Sequence, residues 1–520
     1  MDQAIFYRYL YIIALSITYM GVIIMQKKMV RIIVLVVVFL TAVVPMAVDA
    51  SHVRCSRSFI IPKTFTESIA RDNYDMIIIA PSDYSSTLEP FIAHKNDLGI
   101  VTTFVSTNDI YSGTYFEVKG RDNQEKIKYF IKDAIESWGI TYVLFVGTYK
   151  QVPVRYCYNN DSEPRYPEPK FISELYYADI YDENGEFSSW DSNGDEIYGK
   201  WDGEVAEDKP INLTPDVCLG RLACVDTDEL EIVVSKIINY EKQPADPSWF
   251  KRLVVAGGDT YQKFEGYEGE QYNQMAIDAV EGLNFNTIKL WASTGKLKNG
   301  GDIVEEINKG CGFWYLSGHG SSELWATYDP DHIMVGKFGV FQTLFLSNSH
   351  KLPVCLVGGC HNSEFDITTS NYVKDWNRQK WMKECWSWRL VSKPDGGSIA
   401  TIGATGLDWY SCEFDGGGTD WLNIQFFKEY AKDIVTIGQI WKNALTLCVE
   451  TFPIDWDTPS GDNSSIQAKT IQEWTLLGDP SLTIGGGTGS TNGRDTGINF
   501  NKNMRFRFQW LIDLINGFGR

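Results

Sequence analysis

A cysteine and a histidine, each set among glycines, are the side chains in this sequence best suited to covalent chemistry. His319 stands in Ser317-Gly318-His319-Gly320, and Cys360 in Gly358-Gly359-Cys360-His361-Asn362. A thiolate attacks carbonyl carbon, and an imidazole beside it takes the thiol proton and later returns it to a leaving amine. Glycine lets the backbone turn sharply and leaves the flanked side chain open. The other histidines fit less well. His361 adjoins Cys360, and neighbouring side chains diverge at a strand end. His94, His332 and His350 fall in helical or loop contexts without a glycine cradle. Cys355 lies inside an apolar run and reads as an inert core thiol. Cys360 can also be read as a structural thiol, although its glycine-rich, polar flanks weigh against that.

His319 and Cys360 meet only if the chain brings two strand ends together. The continuous apolar runs Phe313 to Ser317 and Val354 to Val357 lead directly into the two glycine turns. If these are parallel neighbours, both reactive side chains enter one crevice, because open α/β sheets bind ligands outside the carboxyl ends of their strands. The rest of the chain supports such a sheet. Strands are predicted at 75–79, 100–105, 141–147, 252–258, 312–317, 352–357 and 398–402, and helices near 88–98, 123–137, 271–281 and 301–309. Apolar runs alternating with helical periodicity indicate strands buried on both faces.

The 520 residues, 44% hydrophobic and 22% charged, are too many for one small domain and too apolar for wholesale disorder. A net charge of -20 makes nucleic acid an unfavourable partner. Two apolar runs, 4–25 and 32–44, open the chain. The second, followed by Val48-Asp49-Ala50, reads as an export signal starting near Met25 or Met29. The first is long enough to be an uncleaved anchor. Both readings place the folded part outside the cytoplasm, secreted or extracellular. The expected organisation is a signal or anchor over 1–50, a smaller α/β subdomain with an acidic loop over 51–240, a catalytic subdomain over 241–485, and a Gly-rich linker with an amphipathic tail over 486–520. The tail, 504–518, either contacts a membrane surface or docks on the body. In the acidic loop, Asp191, Asn193, Asp195 and Asp202 have the oxygen-ligand spacing of a structural calcium site, with Glu196 where glycine is usual. A solvated acidic loop is the alternative.

These motifs, with Leu175-Tyr176-Tyr177-Ala178-Asp179, Pro215-Asp216-Val217-Cys218-Leu219-Gly220-Arg221 and Trp474-Thr475-Leu476-Leu477-Gly478-Asp479-Pro480, resemble the gingipain-type cysteine peptidases of the caspase-like clan over roughly 75–485. The resemblance implies a caspase-like three-layer α/β/α sandwich with a mainly parallel sheet, and protein or peptide substrates without an organic cofactor. It implies Cys360 as nucleophile, His319 as general acid and base, and the N–H groups of Gly320 and Cys360 as an oxyanion hole. By similarity of its motif, Asp179 would approach a primary specificity pocket and favour Arg or Lys. Trp409 is either a wall of that pocket or core packing. A third residue orienting His319 is expected, with Glu168 and Glu174 as candidates. The expected activity is an exported cysteine endopeptidase. The alternatives are a sortase-like transpeptidase on the same fold and a non-catalytic surface-binding protein.

Overall fold

A computed structural model describes residues 73–486 apart from 164, 166, 243, 264, 368–383 and 410–415. The expected signal or anchor over 1–50 and the tail over 486–520 therefore lie outside the described residues, save for residue 486. In chain order the strands are β1 (Met76–Ala80), β2 (Thr102–Ser106), β3 (Tyr142–Val146), β4 (Arg155–Asn159), β5 (Phe171–Ser173), β6 (Tyr198–Trp201), β7 (Cys218–Leu222) and β8 (Arg252–Gly257). They continue with β9 (Asn286–Trp291), β10 (Phe313–Ser317), β11 (His319–Gly320), β12 (Leu324–Tyr328), β13 (Met334–Gly339), β14 (Val354–Gly358), β15 (Ala400–Ala404) and β16 (Trp474–Leu477).

Ten of these strands form one sheet in the order β2-β1-β3-β7-β16-β15-β14-β10-β8-β9. All of its pairings are parallel except β15 with β16. The stretches 51–240 and 241–485 both contribute to it: β1, β2, β3 and β7 come from the first and the other six from the second. The described residues fall in a single compact unit.

Side-chain alternation on the strands explains why the sheet is covered twice. On β10, Phe313 and Tyr315 join one apolar cluster with Phe426 and Phe427 of the helix Gly418–Tyr430, while Trp314 and Leu316 join another with Ile303 and Ile307 of the helix Gly300–Asn308. Large apolar side chains buried in this way each contribute on the order of 2 kcal/mol. Local signals agree with the packing. The helix Asn123–Trp138 starts where the Asp122 carboxylate accepts the Glu125 N–H at 2.8 Å, and it stops at Gly139 with φ of 73°.

Two small three-stranded sheets flank the main one, β5-β4-β6 and β11-β12-β13. The second grows directly out of the glycine turn after β10. No helix among the described residues is long and apolar enough to cross a membrane.

Candidate active site

β10 and β14 are adjacent and parallel, with Ser317 paired to Gly358. His319 and Cys360 each lie two residues beyond that pair, so the register delivers both to one end of the sheet. The turns themselves are in contact. A Cβ on Gly359, whose φ is 146°, would stand 2.9 Å from the Gly320 nitrogen and 2.9 Å from the His319 carbonyl carbon. A Cβ on Gly320 would meet Asn362 at 2.4 Å and the Cys360 carbonyl at 2.7 Å. Both positions thus require glycine on steric grounds, and the Gly320 and Cys360 amides sit on touching turns. Asn362 fastens the arrangement: its Nδ2 donates to the Gly359 carbonyl at 2.6 Å, and its Oδ1 accepts the Trp386 indole N–H at 2.8 Å. Beneath, the Ser317 hydroxyl donates to Asp420 at 2.9 Å and the Tyr315 hydroxyl donates to the same carboxyl, anchoring the end of β10.

Each reactive group is held by a main-chain carbonyl. His319 Nε2 lies 2.8 Å from the Thr260 oxygen, which requires Nε2 to carry the proton and leaves Nδ1 as the free ring nitrogen. The Cys360 thiol donates to the Asp408 carbonyl at 3.6 Å. Neither side chain bonds to the other in this state. Burial, and after it the Asp408 charge, pushes the Cys360 thiol up to about 12. Burial also depresses His319, while the Thr260 carbonyl and Asp259 pull the other way. The resting pair is therefore a neutral thiol and a neutral imidazole.

Behind the thiol lies a buried charged wall. Lys469 is fully buried and pairs with Asp161 and Glu168. Burial opposes its charge, yet Glu473, Glu168 and Asp161 hold its ammonium above the ordinary lysine range. Burial pushes the Glu473 carboxyl well up despite Lys469. Trp409 is half-buried, directly follows Asp408, and donates its indole N–H to Asp161 at 3.1 Å. It therefore follows directly on the residue whose carbonyl holds the thiol.

The remaining candidate residues have partners of their own. Asp179 has no exposed surface in this structure. It accepts the Trp190 indole N–H at 2.6 Å and the Leu213 N–H at 3.3 Å, and burial holds its carboxyl up against the pull of Lys128. Neither Glu168 nor Glu174 faces His319. Glu174 clasps Arg221 at 2.7 and 3.0 Å, and Glu168 serves Lys469, His361 and the Leu407 N–H. The orienting partner is the Thr260 carbonyl, a backbone group with no residue signature.

The calcium spacing does not converge. Asp191 accepts the N–H groups of Gly194, Asp195 and Glu196 and pairs with Arg121. Asn193 caps the Asp195 N–H, Asp195 binds Lys200 at 3.2 Å, and Asp202 accepts from Asn160 at 2.8 Å. Glu196, standing in the glycine position, is left-handed at φ of 64°. Among the described residues no group of three or more His, Cys, Asp or Glu is disposed to hold a metal ion. Calorimetry with and without chelator tests the calcium reading: a melting temperature that stays within about 1 °C would remove it.

Residues 69–485 match the family model for peptidase family C25. The chain belongs to peptidase family C25. Among curated relatives of this family, gingipain R2 of Porphyromonas gingivalis is 23% identical over 427 residues, covering 81% of this chain and 47% of the relative. Gingipain R1 of the same organism is 22% identical over 430 residues, covering 81% and 35%. The chain thus spans about half or less of the curated relatives it matches. A crystal structure of the Arg-specific cysteine proteinase gingipain R superposes with a TM-score of 0.54 at 21% identity, covering 80% of this chain and 79% of that one. The C25 chain therefore has the caspase-like α/β sandwich that its motifs implied.

Proposed function

We propose that this C25 chain is a cysteine endopeptidase that hydrolyses protein or peptide substrates through a thioester on Cys360, with His319 as general acid and base. The observation that carries the reading is the Ser317–Gly358 register, which places both residues on touching turns at one end of the sheet. Substrate entry displaces the thiol from the Asp408 carbonyl, and Nδ1 of His319 takes its proton. The thiolate attacks the scissile carbonyl carbon, and the N–H groups of Gly320 and Cys360 are the donors nearest to receive the oxyanion. Collapse breaks the C–N bond as the imidazolium protonates the departing amine. Water, losing a proton to Nδ1, then cleaves the thioester and restores the thiol. Nε2 stays bound to Thr260 throughout, so the ring keeps one orientation for both proton transfers.

A preference for Arg or Lys is part of the proposal, and a peptide-library digest tests it. Export is part of the proposal and rests on the apolar run and cleavage-like segment ending at Ala50.

The thiol state supplies the test. A thiol held at about 12 is almost entirely protonated at pH 7.5, so iodoacetamide is expected to alkylate resting Cys360 slowly, at a rate rising with pH to beyond pH 10. A peptidyl thiol-directed probe, which fills the substrate groove, is expected to label Cys360 rapidly at pH 7.5. Labelling by the peptidyl probe that persists in Cys360→Ala protein would remove this residue as nucleophile.

A further inference from the structure

Glu268 opens the helix Glu268–Ala279, and its carboxylate has an unusual set of partners. Oε2 accepts the N–H of Thr260 at 3.2 Å and the N–H of Tyr261 at 3.2 Å. Oε1 is buried and has no hydrogen-bond partner among the described residues, and no cation there pairs with the group. Close backbone packing fixes its position. A Cβ on Gly269 would lie 2.7 Å from the Ser317 carbonyl, and the Gly269 N–H donates to the Gly258 carbonyl at 3.1 Å.

The Tyr261 N–H and the Thr260 carbonyl belong to one peptide group. A carboxylate that accepts the N–H draws electron density toward the carbonyl oxygen, and hydrogen bonds in series strengthen each other. That oxygen is the one 2.8 Å from His319 Nε2. We propose, building on the peptidase reading, that Glu268 is the positioning acid of this site, acting on His319 through the Thr260–Tyr261 peptide. The carboxylate makes the carbonyl a stronger acceptor, selects the Nε2–H tautomer, and stabilises the imidazolium that forms when the thiol gives up its proton. A carboxylate is thereby supplied to the catalytic histidine without touching it.

Other groups face the same ring. Asp259 lies in the same loop, and its Oδ2 is 3.4 Å from the exposed His332. The Tyr328 ring of β12 meets the imidazole edge-on at 5.6 Å, and Cys360 stands on the neighbouring turn. Asp259 has His332 beside it and feels the charges of both Glu268 and His319, whereas Glu268 touches the Thr260–Tyr261 peptide itself.

Glu268→Gln separates electronic from structural roles, because the amide oxygen can accept the same two N–H groups without the charge. In Cys360→Ala protein with isotope-labelled histidine, NMR titration of His319 is expected to show its pKa lowered by about one unit in Glu268→Gln. Glu268→Asp, which keeps the charge, is expected to restore most of that difference. In enzyme with Cys360 intact, Glu268→Gln is expected to lower kcat about tenfold with KM unchanged. A His319 titration that moves by less than about 0.2 unit, with kcat within about twofold of the parent, would overturn the relay. If the parent hydrolyses no peptide, the peptidase reading fails, and the titration still decides the relay. A Glu268→Gln protein that loses its fold while Glu268→Asp keeps fold and His319 titration supports the need for charge at this position.

Discussion

Cys360→Ala and His319→Ala proteins that melt like the parent are expected to lose peptide hydrolysis by roughly 10⁴-fold or more, each alone about as severely as both together. Non-additivity is the informative part. The two side chains have separate resting partners, the Asp408 and Thr260 carbonyls, so each single substitution would act independently if they never met. Acting as one proton-transfer unit, removal of either abolishes the whole. Steady-state turnover of a fluorogenic peptide by the two single variants and the double variant measures this directly. Cys355→Ala is the control, since that thiol is buried on β14 and burial pushes it well above its ordinary range. It is expected to keep turnover. Retention of more than about a tenth of parental activity by His319→Ala would assign the general base elsewhere.

The second large effect is expected from Lys469→Met. The side chain fits the space but leaves the buried Asp161, Glu168 and Glu473 without their cation. Breaking a buried ion pair from one side costs about 3–5 kcal/mol. The sign of the pH dependence follows from linkage. Carboxyl groups deprived of the ammonium bind protons more readily in the folded variant than in the unfolded chain, so the variant gains stability relative to the parent as pH falls. Urea unfolding at pH 8 and pH 5 is expected to show the full deficit at pH 8 and a smaller one at pH 5. A constant gap would mean that the wall is not held by charge. Trp409 is also expected to loosen, because its indole N–H rests on Asp161, and its fluorescence reports this independently.

The strands of the sheet's working end were legible in the sequence because they are buried on both faces. The runs predicted at 312–317 and 352–357 appear as β10 and β14, shifted by one or two residues at their ends. Their parallel adjacency could be posed only as a condition; pairing is a long-range property that apolar runs do not encode. β9 is less continuously buried, with an exposed Asn286 and four half-buried positions, and gave no such run. Among site residues, cysteine and histidine carry reactive side chains and advertise themselves. Thr260 acts through its main chain, which any residue provides. Asp179 is harder to read: its motif suggested a pocket, but a carboxylate also serves to hold an indole and a main-chain N–H, as it does here with Trp190 and Leu213. The spacing at Asp191 to Asp202 is ambiguous for a related reason, since short loops rich in Asp and Asn also satisfy their own amides.

The place of β16 bears on how the molecule comes into being. Residues 474–477 come last in chain order among the strands of the sheet, yet they insert between β7 and β15 in its middle. Until that insertion, β7 and β15 present two open sheet margins. Such margins invite pairing with other chains. The ten-stranded sheet is therefore complete only once β16 has been made, so premature termination upstream of Trp474 is expected to yield sticky fragments with unpaired β7 and β15 edges.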